Sequence, residues 1–301
     1  MNEEDLEEFP LGYALDNAIL MHRDIHFGGN FDIMLEYYGG EGKGISSEIE
    51  LTHIQELYAV EKKSGKNLSG VVLSGAEAEV VAKGKNAYKK LRQLCEVENP
   101  KNPVPKLVAN LILADTEEEE KSALEAIIAQ KSAAVPALID LLRNEDYYSA
   151  LYPGYGNAPV LAAAALGKIG DKRAIISLFE AVGEGDFFNE DTILDALHGI
   201  GEPARDFLLR VLQGRPLTID NEKAAIALVR FKEDSLVSKA CLQMLDTLDL
   251  KKEEALATYL ALACEGLPAS DLVKLKEIGS RETTPKALNK DISIMIKNIE
   301  R

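Results

Sequence analysis

Tryptophan is absent from the 301 residues, and aromatic residues make up only 6%. A Trp-lined channel for bases is thereby excluded, and any stacking platform has to come from ten Tyr and eight Phe. Positive charge is also scarce: 34 Lys and Arg stand against 50 Asp and Glu, a formal net charge of −16. Nucleic-acid affinity rests largely on cations that neutralise phosphates, so no nucleic-acid partner is expected. No apolar run approaches the ~20 residues that cross a bilayer. The richest, 160–166, is short and Ala-heavy, so no membrane association is expected. The start, Met1-Asn2-Glu3-Glu4-Asp5, is acidic where a secretory signal is basic, which predicts a cytoplasmic protein. The three cysteines, Cys95, Cys241 and Cys264, are odd in number and far apart. Packed, reduced thiols are the expectation, not a metal site or a disulfide framework.

What is present is a hydrophobic fraction of 46%, enough for a large core, and an internal repeat. The run Ala165-Leu166-Gly167-Lys168-Ile169-Gly170-Asp171-Lys172-Arg173-Ala174-Ile175 is echoed by Ala196-Leu197-His198-Gly199-Ile200-Gly201-Glu202-Pro203-Ala204-Arg205, 31 residues on. Ala227-Leu228-Val229-Arg230-Phe231 follows after another 31, and a degenerate Ala261-Leu262-Ala263-Cys264-Glu265-Gly266-Leu267-Pro268 after 34. An earlier unit, Ala123-Leu124 and then Val135-Pro136-Ala137-Leu138-Ile139, begins 42 before the first. A period of about 30 to 45 with two apolar helical segments per unit predicts an all-α chain, an α-solenoid of stacked antiparallel helix pairs. Small Ala on the first helix lets neighbouring units approach closely. The Ile-Gly or Gly-Leu-Pro step ends it, with Gly in a left-handed cap and Asp or Pro opening the next helix. Phe207, Leu208, Val211 and Leu212 then form the apolar stripe of a second helix.

The Ala-Leu-Gly-x-Ile-Gly-Asp-x-Arg-Ala-Ile pattern of 165–175 resembles HEAT repeats of the phycobilisome (PBS) lyase HEAT-like class, over roughly residues 105–280. The resemblance implies a right-handed superhelix and a binding scaffold. It also carries an alternative, an accessory or lyase-like enzyme subunit acting on a protein-bound ligand. Deoxyhypusine hydroxylase is similar in its repeats but holds iron with paired His-Glu motifs. None of the four His here precedes a Glu: the pairs are His22-Arg23, His26-Phe27, His53-Ile54 and His198-Gly199.

The first hundred residues lack the repeat but also read as helical. Leu11, Leu15, Ala18 and Ile19 fit one amphipathic segment, ended by Gly28-Gly29; Phe31, Met34, Leu35 and Tyr38 begin another. Ser47 is placed to cap a helix that carries Ile49, Ile54, Leu57 and Val60. A further helix spans about 76–96. Asn99-Pro100-Lys101-Asn102-Pro103-Val104-Pro105 cannot continue a helix, so the organisation expected is an N-terminal helical region, 1–104, and a repeat array, 105–301. Whether 1–104 is a set of divergent repeats packing on that array stays open.

Several constellations invite chemistry. His22 and His26 share a helix face, as two metal ligands would, but Arg23 stands where a zinc hydrolase has Glu. They are weak candidates; no metal and no cofactor is expected. The glycines of Gly39-Gly40-Glu41-Gly42-Lys43-Gly44 lack the Ser or Thr of a phosphate-binding loop and read as a helix–helix connection. The loop 144–159 concentrates Tyr147, Tyr148, Tyr152 and Tyr155, four of the ten Tyr, amid Pro and Gly. It lengthens one repeat, and such insertions often lie on a binding face, where Tyr gives contact area at low entropy cost. The rings could equally fold back on the repeat. His198 stands where sister repeats have Gly167 or Val229 and is a further contact candidate. Asp186, Glu190, Asp191 and Asp195 with Phe187-Phe188 read as an inter-repeat loop without a desolvated acid pair. The expected function is therefore non-enzymatic: a scaffold that binds a protein partner, favouring a basic segment, on the curved face and the Tyr-rich loop.

Overall fold

Helix starts are written into the local sequence. Ser74 and Thr116 each accept from a backbone N–H three residues on, while Glu77 and Glu119 reach back to the cap, so both helices open with a capping box. Asn30, Asp171 and Asp234 cap in the simpler way. The computed structural model describes residues 14–40, 42–183 and 187–299, apart from the side chains of 187–189 and 298. Leu11, Glu41, Asp186 and the side chains of Phe187 and Phe188 lie outside the described residues. Among the described residues every regular element is helical, so the chain is all-α. No described helix is long and apolar enough to cross a membrane.

The chain divides into two compact units, Met1–Ala162 and Ala163–Arg301. The first holds α1 (Ala14–His26), α2 (Phe31–Tyr38), α3 (Leu51–Ser64), α4 (Leu68–Val72), α5 (Gly75–Glu96), α6 (Val104–Leu113), α7 (Glu117–Ile128) and α8 (Val135–Arg143). Helix α9 (Ala158–Ile169) runs across the division. In the first unit α1 lies on α5, and α5 on α6 across the proline-rich turn. Gly84 makes the α1–α5 crossing tight: a Cβ there would stand 2.8 Å from Ile25. Ile19, Leu20, Phe27, Phe31, Met34, Ile54, Leu57 and Leu68 form one apolar core. The α3 helix begins at Leu51 with Glu50 as its cap residue, not at Ser47. Leu51 opens the helix only after a turn that Ile49 closes onto Ser46.

Arg23 is fully buried on the apolar side of α1. It donates to Asp24 at 2.6 and 2.9 Å, to Glu61 at 2.8 Å and to Ser69 Oγ at 2.8 Å, and stacks over Phe31 at 4.4 Å. An unpaired guanidinium would be prohibitive there. With two carboxylates and a hydroxyl it ties α1, α3 and α4 together.

The second unit continues with α10 (Ile175–Ala181), α11 (Phe187–Ile200), α12 (Glu202–Leu212), α13 (Ile219–Leu228), α14 (Ser235–Thr247), α15 (Glu254–Leu262), α16 (Ala269–Gly279) and α17 (Lys286–Ile299). Helix α11 packs on α13, α13 on α15 and α15 on α17, while α12 packs on α14 and α14 on α16. Sequence neighbours also pack, α12 on α13 most extensively. The repeat residues explain this. Ala165, Ala196, Ala227 and Ala261 are all buried. Gly167 has no room for a side chain, because a Cβ would stand 2.5 Å from the Ala196 Cα; one on Gly199 would stand 2.8 Å from the Gly167 carbonyl oxygen. Gly170 and Gly201 take positive φ, 71° and 80°, where glycine is favoured; Gly201, with ψ of −141°, is the cap residue that opens α12 rather than a left-handed helix end. Gly266 does not take that conformation. Its glycine is required because a Cβ would meet the Lys232 carbonyl oxygen at 2.3 Å. Leu208 and Leu212 are buried in α12, and Phe207 meets Phe179 edge-on at 5.4 Å. Ion pairs join successive pairs of helices: Arg205 to Asp234 at 2.7 Å, Lys232 to Glu265 at 2.5 Å and Lys274 to Asp246 at 2.7 Å.

Candidate functional site

The first unit gathers His and Tyr side chains from four places in the sequence. Helix α1 supplies His22 and His26, whose ring centroids lie 4.5 Å apart. Helix α2 supplies Tyr37 and Tyr38, α5 supplies Tyr88, and the loop 144–159 supplies Tyr155. The Tyr155 ring stacks on His26 at 4.4 Å and lies 6.0 Å from His22 and 6.4 Å from Tyr37. Tyr155 has φ of 54° and sits between Gly154 and Gly156 at 86° and 84°, so three successive left-handed residues swing its ring inward. For Tyr that backbone region costs roughly 1 kcal/mol, which the ring packing offsets. The glycine loop completes the fit. A Cβ on Gly44 would stand 2.1 Å from the Tyr155 ring, and one on Gly42 would stand 2.2 Å from Tyr37. These glycines make room for rings and build no phosphate cradle.

Hydrogen bonds order the cluster. The Ala150 carbonyl can only accept, so His26 donates to it through Nε2, at 3.0 Å. Nδ1 is then the acceptor and takes the Tyr88 hydroxyl proton at 2.7 Å. Tyr37 donates to Asp115 at 3.0 Å and accepts from the Gly44 amide at 2.9 Å. His22 is 4% exposed and its Nε2 has no partner among the described residues. Desolvation lowers the His22 pKa to about 4. It lowers that of His26 to about 3, helped by repulsion from His22 and opposed by the Ala150 hydrogen bond. Burial likewise pushes the Tyr88 and Tyr155 phenols well up. At neutral pH the cluster is therefore uncharged.

Both nitrogens of His26 are engaged, which leaves the ring no lone pair for a cation. Among the described residues no group of three or more His, Cys, Asp or Glu converges to hold a metal. No family model matches the chain, and no curated protein matches it.

The other sequence candidates separate from this cluster. Tyr148 donates to the Leu142 carbonyl at 2.8 Å. Tyr147 and Tyr152 pack edge-on at 4.9 Å and are half-buried, with burial pushing the Tyr147 phenol up to about 12. So the loop turns Tyr155 inward and leaves Tyr147 and Tyr152 as its part-exposed surface. His198 is exposed on α11 and meets Phe231 edge-on at 4.9 Å. Cys241 and Cys264 are buried, with thiol pKa values raised by desolvation, that of Cys241 to about 12. Thiols so held stay protonated and inert.

Beside the cluster, α1 and α5 flank an open cleft of about 530 Å³. His26 and Tyr88 line it together with Asp24, Lys85, Lys89 and Arg92. Sequence reasoning passed over this cleft. Its signal was present as Gly84, a glycine inside a long amphipathic helix, which marks a close crossing.

Proposed function

We propose that the protein is a non-enzymatic scaffold, an α-solenoid of HEAT-like antiparallel helix pairs whose curved face holds a segment of a protein partner. The observation that carries this reading is the succession α11, α13, α15, α17 beside the succession α12, α14, α16, each pair burying its apolar side against the next. Alanine and glycine at the contacts and an ion pair at successive steps are what such an array requires. Tyr147 and Tyr152, half-buried on their loop, and the exposed His198 offer contact points. The net charge of −16 favours a partner with a basic segment.

The test is cross-linking of the full chain to proteins captured on it, read by mass spectrometry. One partner should cross-link repeatedly to helices of the second unit. Its retention should fall several-fold between about 50 and about 300 mM salt, as screening weakens the attraction. Failure to recover any partner that free full-length chain competes away would overturn the reading. So would a stoichiometric metal or a turnover that accounts for the protein without a partner.

A further inference from the structure

Residues 1–162 hold 15 Lys and Arg against 27 Asp and Glu. Against that acidic background, the stretch 83–92 on α5 carries five cations, Lys83, Lys85, Lys89, Lys90 and Arg92, and no carboxylate. Lys85, Lys89 and Arg92 follow one another at four and three residues, so they form a single stripe, and this stripe lines the α1–α5 cleft. All three are exposed. Lys85 has a loose pairing with Asp24 at 3.5 Å, while Lys89 and Arg92 enter no ion pair among the described residues. Asp24 meets Lys85 through Oδ2 while Arg23 holds its Oδ1 at 2.6 Å, so it reaches only the first cation of the stripe. Arg92 lies 5.6 Å over the Tyr88 ring, which holds the guanidinium at the cleft wall. Glu96 lines the far end.

We propose that this cleft binds an extended acidic segment of a partner protein, with carboxylates at alternate residues meeting Lys85, Lys89 and Arg92. The spacing favours a peptide over a single phosphate group. Four residues of helix rise about 6 Å, and alternate side chains of an extended strand stand about 6.7 Å apart on one face, so the two ladders nearly match. The stripe from Lys85 to Glu96 is roughly 16 Å long, the reach of about five extended residues. The occupant is of opposite sign to the basic segment that the net charge of the whole chain favours. The proposal shares with the scaffold reading only that a protein segment is bound, and it stands or falls at its own residues.

The experiment is fluorescence anisotropy of the full chain with a labelled peptide of about ten residues in which Glu alternates with Ser. A matched Lys–Ser peptide, inorganic phosphate and a single-stranded oligonucleotide serve as competitors. We expect saturable binding of the Glu peptide, weakened by salt and reduced roughly tenfold or more in Lys89→Glu/Arg92→Glu. Lys239→Glu, an exposed site in the second unit, should leave it unchanged. Circular dichroism of both variants checks that the helices are retained. Absence of binding overturns the proposal, as does equal loss in Lys239→Glu. Displacement of the peptide by phosphate or by the oligonucleotide at far lower concentration than by unlabelled peptide also overturns it. Failure of the capture experiment on the second unit leaves these outcomes untouched.

Discussion

Acid should unfold the first unit through His22 and His26. Each imidazole is neutral in the folded state, with pKa about 4 and about 3, against an ordinary 6.5 once the chain unfolds. Between those values the unfolded chain binds protons that the folded chain refuses. The stability from this pair is therefore fully present above about pH 6.5 and is lost as pH falls. One pKa unit corresponds to about 1.4 kcal/mol, so at about pH 5 each ring costs about 2 kcal/mol and the pair about 4. That is a large share of the 5–15 kcal/mol that holds a typical domain folded. Urea denaturation, followed by circular dichroism at several pH values from about 8 to about 4.5, should show midpoints falling with a slope approaching two protons. Carboxylates act in the same direction, so the variant His22→Phe/His26→Gln is needed and should flatten the slope by those two protons. Proton NMR supplies a readout that does not depend on the variant folding. The His22 and His26 ring signals should stay at their neutral positions down to about pH 5. Titration of both rings near 6.5 would refute the desolvation argument and, with it, the closed state of the cluster.

Gly167→Ala would ordinarily stabilise a helix by up to about 1 kcal/mol. Here the new methyl meets the Ala196 backbone, so a loss of about 1–3 kcal/mol is expected instead. A calorimetric Tm that rises would show that α9 and α11 do not touch. Arg23→Met strands Asp24 and Glu61 and should cost about 3 kcal/mol or more in denaturant titration. Adding Glu61→Gln should recover part of that loss, and no recovery would mean that Arg23 acts through packing alone.

Features with a local cause could be read from the sequence. The helix from about 76 to 96, the glycine Gly170 with positive φ at the end of α9 and the opening by Asp171 each follow from a few neighbouring residues. The buried Ala-Leu pairs at 165–166, 196–197 and 227–228 follow from the repeat itself, whereas in the degenerate copy Ala261 is buried and Leu262 exposed. The His–Tyr cluster could not be read in this way. It joins residues up to 133 apart in the chain, and the signals left behind, a Tyr between two glycines and glycines facing Tyr, acquire meaning only once the rings meet. Arg23 was equally opaque, since its partners Glu61 and Ser69 come from α3 and α4. The α3 start shows a local cue failing: Ser47 has cap chemistry, but the backbone turns again before a helix can begin.

The meeting of Gly167 with Ala196 and Gly199 has a mechanical consequence. Most neighbouring helices are separated by a deformable layer of leucines and isoleucines that can change rotamer. At this seam main chain rests on main chain, with nothing soft between. Lengthwise sliding there would drag one row of peptide units across another, so this seam resists shear in a way that a layer of side chains does not.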